Sequence, residues 1–314
     1  DLTNPEVPVT LWLGAFSSHG LSISADGTRA YLAALQGAGP NGEPGLIILD
    51  VSQIEDRVPF PQASVVSTLT WDDVSIPQNA MPITIDGRHY LLEIDEFAGR
   101  QIPSNEPDAP VGGARIIDIE DERNPFVVST IKLEVHLAEN RGNLVNEGLP
   151  VIGYTGHYCG VPREVDPVIA ACSMVQSGLR IFDIRDPENP REIAYFNSAG
   201  FPEPGDPDAQ AFAMSRPTFV PERAEIWYAD GNSGFYVVRL TNGAWPGVAA
   251  SGQAPAAQSG PSGASAPGTP AAPAPTAAPT RPSGVLARTG ATVPVAAALG
   301  LLAMAIVLRR VRRA

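Results

Sequence analysis

Four short runs of apolar, largely β-branched residues punctuate the first 240 positions, and each opens on glycine. They are Gly45-Leu46-Ile47-Ile48-Leu49-Asp50-Val51, Gly113-Ala114-Arg115-Ile116-Ile117-Asp118-Ile119, Gly178-Leu179-Arg180-Ile181-Phe182-Asp183-Ile184 and Gly234-Phe235-Tyr236-Val237-Val238-Arg239-Leu240. A run of this length bounded by turn residues predicts a buried strand. The glycines are 68, 65 and 56 positions apart, so the repeat is loose and its connections vary in length.

The flanks of each run recur as well. Asp183-Ile184-Arg185-Asp186-Pro187-Glu188-Asn189-Pro190 leads into apolar residues 193–196, and residues 118–125 lead in the same way into 127–133. Asp side chains bond nearby backbone N–H groups and Pro presets φ, so this is a turn followed by an outer strand. Upstream, residues 21–32 predict two strands around the Asp26-Gly27 turn, and residues 83–92 two more around Asp86-Gly87. Residues 219–228 are a variant with Pro221-Glu222-Arg223 at the turn. Each full repeat therefore predicts about four antiparallel strands. The fold expected is all-β, a β-propeller of four-stranded antiparallel blades, about four of them visible.

Asp1-Leu2-Thr3-Asn4-Pro5-Glu6-Val7-Pro8 aligns with residues 183–190, so the chain starts inside a repeat, while the last repeat lacks an outer strand. Two readings follow. The favoured one makes the chain part of a larger ring. In the other, a strand over residues 10–16 completes the last repeat and closes a small four-bladed ring. On the strength of the four runs, the chain resembles the LVIVD-repeat family over roughly residues 1–240, with Leu46 to Val51 and Ala114 to Ile119 carrying the likeness. That resemblance implies a propeller domain, placed at 1–244, and implies no activity.

From Trp245 to about residue 285 the composition turns to Ala, Pro, Gly, Ser and Thr, without acidic residues. Such a stretch cannot bury enough apolar surface to offset its ordering entropy, and its prolines favour an extended stalk. Three elements follow in order within 286–314: Leu286-Ala287-Arg288-Thr289-Gly290, an apolar run at 291–308, and the basic cluster Arg309-Arg310-Val311-Arg312-Arg313. The apolar run, as a helix, is about 27 Å long, enough to cross a bilayer core, and the Arg cluster would stay cytoplasmic. Together the three resemble a sortase sorting signal of the LPxTG type, in the LAxTG form associated with actinobacteria. The resemblance implies cleavage between Thr289 and Gly290 and transfer to a peptidoglycan precursor. Sortase and that precursor are then the partners, the plasma membrane holds the helix before processing, and the location is the Gram-positive cell wall or surface. The bland reading is a plain single-pass tail anchor in which the five letters are coincidence.

Acidic residues outnumber basic ones 34 to 21, and four of the basic residues lie in the last six positions, which argues against nucleic acid as partner. The two cysteines, Cys159 and Cys172, suit one disulfide in an exported protein; two buried free thiols are the alternative. No GxSxG, P-loop, HExxH or EF-hand pattern occurs, so no catalytic residue and no cofactor are assigned. His19 and His157 each precede an expected innermost strand, where imidazoles could converge on a metal, although hydrogen-bonded structural histidines are the commoner outcome. The acidic groups Glu93-Ile94-Asp95-Glu96 and residues 203–208 lack the spacing of a calcium loop. Trp12, Trp71, Trp227, Tyr228 and Trp245 suggest carbohydrate stacking, with core packing the better account of at least one of Trp227 and Tyr228. The function expected is a surface binding or scaffolding module for an unknown extracellular ligand. The alternative is an extracellular hydrolase or metal-dependent oxidase working at the channel mouth.

Overall fold

A computed structural model of the chain describes residues 3–10, 12–98, 102, 106–141, 153–198, 211–241, 243 and 245. Those residues form four antiparallel sheets, each a meander with its strands in chain order. Sheet 1 holds β1 (Ser18–Ile23), β2 (Arg29–Ala34), β3 (Gly45–Asp50) and β4 (Ser64–Leu69). Sheet 2 holds β5 (Ile76–Ile85), β6 (Arg88–Glu96), β7 (Ala114–Asp118) and β8 (Phe126–Ile131). Sheet 3 holds β9 (Tyr158–Gly160), β10 (Ile169–Ser173), β11 (Leu179–Asp183) and β12 (Arg191–Phe196). Sheet 4 has three strands, β13 (Thr218–Val220), β14 (Glu225–Asp230) and β15 (Gly234–Arg239).

The recurrent apolar runs are the third strands of these sheets. They lack polar alternation because β3, β7 and β11 are buried on both faces. Leu46 and Ile48 pack with Leu91 and Ile117 between sheets 1 and 2, while Ala114 and Ile116 pack with Cys172 and Phe182 between sheets 2 and 3. Leu179 and Ile181 pack with Ile226 and Tyr228 between sheets 3 and 4. Fully burying each such side chain stabilises the fold by about 1.5–3 kcal/mol. The third-to-fourth-strand pairings shift register at matching places, Ile48/Leu49, Ile116/Ile117 and Ile181/Phe182. Bulges of this kind increase local twist.

The aspartate closing each of the first three runs caps the turn as expected, while the fourth run has Arg239 in its place. Asp50, Asp118 and Asp183 accept the backbone N–H groups of Ser52, Glu120 and Arg185. A second acceptor follows in Asp121 and Asp186, and Asn4 does the same for the Glu6 N–H. Neighbouring sheets are tied at equivalent points, where Ser67 donates to the Glu122 carbonyl (2.5 Å) and Ser129 to that of Pro187 (2.6 Å).

The structure departs from the second of the two readings, in which residues 10–16 complete the last repeat. Residues 10 and 12–16 form no strand and do not pair with β15. Phe16 instead packs with Ile54 and Ala63 on the apolar face of sheet 1 that no other sheet covers among the described residues. The ring-closing strand is therefore absent among the described residues, and β15 leaves Phe235 and Val237 exposed. The Pro221–Arg223 turn is a short 3-10 turn. Cys159 and Cys172 are paired directly across β9 and β10 and form a disulfide. Residues 246–314, with the expected stalk, Leu286 to Gly290 and the 291–308 helix, lie outside the described residues, as does the acidic group at 203–208. No helix among the described residues is long and apolar enough to cross a membrane.

Candidate functional site

The strand directions give the sheets two unlike ends. Connections 24–28, 86–87, 119–125, 184–190 and 221–224 leave one end as short turns, while the longest, 97–113, 132–157 and 197–217, leave the other. The first strands of successive sheets lie close together. A methyl on Gly20 would fall 2.4 Å from the Gln78 carbonyl oxygen, and one on Gly160 would fall 2.2 Å from that of Pro217. Glycine at these positions is what lets β1 approach β5, and β9 approach the start of β13.

At the loop-rich end this close approach brings three sheets onto one carboxylate. Glu96 is the last residue of β6, and its backbone is held by the Ser75 hydroxyl, which donates to its carbonyl (3.0 Å). The chain then turns sharply: Phe97 adopts a left-handed φ of 56°, a strained conformation for an aromatic residue. His19, from β1, places Nε2 3.3 Å from Glu96 Oε1, and His157, just before β9, places Nε2 2.8 Å from Glu96 Oε2. The His157 Nε2 also lies 3.2 Å from the Gln78 side-chain amide of β5, and its Nδ1 bonds the Met214 carbonyl. Tyr158 meets the His157 ring edge-on at 4.7 Å. Glu96 and His157 are 5% and 11% exposed in their side chains, and His19 is 35% exposed, so the cluster opens to solvent on the His19 side.

The electrostatics follow from this packing. Burial pushes the Glu96 carboxyl up, but hydrogen bonds from His157 and His19 outweigh it and hold the group below the usual range. The His19 imidazole is raised, chiefly by its hydrogen bond to Glu96, with burial opposing. The sequence placed both histidines near an innermost strand, and the structure brings them together. Gln78 and the Met214 carbonyl were missed. The one available signal was the polar pair Gln78-Asn79 interrupting a mostly apolar strand.

The acidic run 93–96 divides between two environments. Glu93 and Asp95 face Arg115, which is 1% exposed, bonded to Glu93, 3.2 Å from Asp95 Oδ2, and stacked 4.1 Å under the Trp71 ring. Trp71 Nε1 and the Ser75 N–H both donate to Asp95. Burial raises the Glu93 carboxyl well above its ordinary value, with Arg115 opposing. These two carboxylates are thus paired with the buried guanidinium of Arg115. Trp71 is occupied by Arg115, and Trp245 and Tyr228 are buried, so three of the five expected aromatics offer no free stacking face, while Trp12 and Trp227 are part-exposed, Trp227 edge-on to the exposed Phe235.

The turn-bearing end carries a groove of about 510 Å³ between sheets 1 and 2, lined among others by Asp26, Arg29, Tyr31, His89 and Glu122. Its polar groups are largely paired with one another: Arg29 Nε donates to Glu122 (2.7 Å), as does the Tyr31 hydroxyl (3.3 Å).

No family model matches the chain, and no curated protein matches it. Among solved structures it is similar to the C-terminal domain of PilY1 from Pseudomonas aeruginosa, at 13% identity over 65% of this chain and 40% of that one, with a TM-score of 0.39. It is also similar to TolB from Acinetobacter baumannii, at 12% identity over 76% of this chain and 47% of that one, with a TM-score of 0.32. The chain thus spans less than half the length of either.

Proposed function

We propose that the four sheets are blades of a β-propeller, and that its loop-rich end is a ligand-binding face displayed outside the cell. The observation that carries this reading is the gathering of His19, Gln78, Glu96 and His157, from three sheets, at the end where the longest connections emerge. The meander order, the adjacency of first strands and the apolar layers between successive sheets support the blade arrangement. Binding ranks ahead of catalysis because each titratable group in the cluster is already engaged by another. A glycan array probed with the labelled full chain tests the reading. Saturable binding that Glu96→Ala abolishes and Glu120→Ala at the opposite end spares supports it. Binding that both substitutions spare, or that only Glu120→Ala abolishes, overturns it.

The anchoring reading belongs here too. Leu286-Ala287-Arg288-Thr289-Gly290, an apolar run and an Arg cluster in that order support covalent attachment to the cell wall by a sortase. The intact mass of protein released by muramidase tests it. A chain ending at Thr289 with a wall fragment is expected, and the Thr289→Ala variant should remain in the membrane. A wild-type chain that keeps its Arg tail overturns it.

A further inference from the structure

We propose that His19, His157 and Glu96 form a binding site for one divalent first-row transition-metal ion, with the Gln78 amide as a further donor. This deepens the reading of the loop-rich end as a binding face, but it stands on side-chain chemistry and not on the propeller arrangement.

The argument starts from the hydrogen-bonding roles of His157. Its Nδ1 faces the Met214 carbonyl, an acceptor only, so Nδ1 carries a proton. In the neutral ring Nε2 then carries a lone pair, yet it faces the Glu96 carboxylate at 2.8 Å, which is also only an acceptor. Two acceptors at that distance require a positive charge between them, either a second proton on the imidazole or a cation. A ring whose Nδ1–H is fixed by a backbone carbonyl and whose Nε2 points at a carboxylate has the outer-shell arrangement of a metal-ligating histidine. His19 brings a second Nε2 to the other oxygen of the same carboxylate.

Spacing supports the same conclusion. Around an ion with bonds of about 2.1 Å, neighbouring donor atoms sit about 3.0–3.4 Å apart. The N···O separations here are 3.3 and 2.8 Å, and the Gln78 amide lies 3.2 Å from His157 Nε2. Each imidazole nitrogen thus stands at ligand-to-ligand spacing from its own carboxylate oxygen, while no three such side chains among the described residues already form a metal-holding group, so loading requires the side chains to rearrange. Gln78 is 1% exposed and its Oε1 has no hydrogen-bond partner. A half-turn of the amide exchanges its O and N and aims that unsatisfied oxygen at the cluster. Two imidazoles and one carboxylate suit zinc, iron, cobalt or manganese better than calcium or magnesium, which take all-oxygen sets. The 35% exposure of His19 provides the entry route.

Titration of the chelator-stripped full chain with Co²⁺ alone, followed by visible absorption and calorimetry, tests the site, and Zn²⁺ competition sharpens it. One ion per chain at a Kd of about 1 μM or tighter is expected. Glu96→Gln and His19→Ala should each weaken binding by at least the 10–100-fold (roughly) that loss of a supporting partner costs. His19 is partly exposed, so an unchanged urea midpoint in His19→Ala separates lost ligation from lost folding. Absence of saturable Co²⁺ binding below about 1 mM, or binding that both variants retain, overturns the proposal. Glycan binding that survives chelation while Co²⁺ fails to bind would sink this site and leave the binding face standing.

Discussion

The two ends of the sheets satisfy their polar groups by different routes. At the turn-bearing end local bonds recur in every full sheet: Asp50, Asp118 and Asp183 each accept an N–H two residues ahead. Side-chain bonds between sheets are present there too, from Arg29, Tyr31 and Ser67 to Glu122, from Ser129 to the Pro187 carbonyl and from the Asp86 N–H to Asp166. At the loop-rich end the bonds are long-range. Gln78 and His157 are 79 residues apart, His157 and Met214 are 57 apart, and Arg115 and Glu93 are 22 apart. Local bonds can form as soon as a turn does, whereas long-range ones exist only once the sheets have packed. The loop-rich end is therefore where one substitution affects several sheets, and where a buried group loses most when its partner goes.

Substitutions can break this contrast in order of expected size. Arg115→Met strands the buried carboxylates of Glu93 and Asp95, and urea denaturation should show a loss of about 3–5 kcal/mol. If the loss is below about 1 kcal/mol, the network is not the anchor of this end. Cys159→Ser with Cys172→Ser removes a cross-link closing a short loop in sheet 3, and should cost about 3 kcal/mol in the same assay.

A pH series sharpens the comparison. His136 is fully buried near the loop-rich end, and desolvation, with Lys132 and Arg141 nearby, pushes its imidazole down to about 3. The unfolded chain protonates this ring near pH 6.5, before the folded chain does. Stability is thus complete above about pH 6.5 and falls as pH drops toward 3, by up to about 1.4 kcal/mol per unit. His136→Asn, which keeps an acceptor for the Leu133 N–H, should flatten that slope over this window. An unchanged slope would mean the ring is not titrating. The smallest effect belongs to the turn end. Asp118→Ala should cost about 0.5–1.5 kcal/mol by losing the Glu120 N–H bond, and Asp118→Asn, which keeps an acceptor oxygen, should cost less.

The strand pattern, the Asp-Gly and Asp-Pro turns and the three strands that the described residues give the last repeat were legible in the sequence because each depends on neighbours within a few residues. Burial of an apolar run and an aspartate's reach to the second N–H ahead need no knowledge of the rest of the chain. The cysteine pair was legible as far as two residues allow. What the sequence left open was decided by packing. Arg115 and Arg180 occupy the same place in two copies of one motif. Yet Arg115 is sealed between two carboxylates under Trp71, while Arg180 lies partly exposed against Glu192 and Tyr195. Of four adjacent residues, Glu93 and Asp95 serve that buried arginine, Ile94 enters the core, and Glu96 meets two histidines. Sequence by itself determined the strands and turns, since their causes are local. Only the tertiary structure decided which polar side chains meet, because the distances between sheets depend on how glycine-lined strands and apolar layers pack.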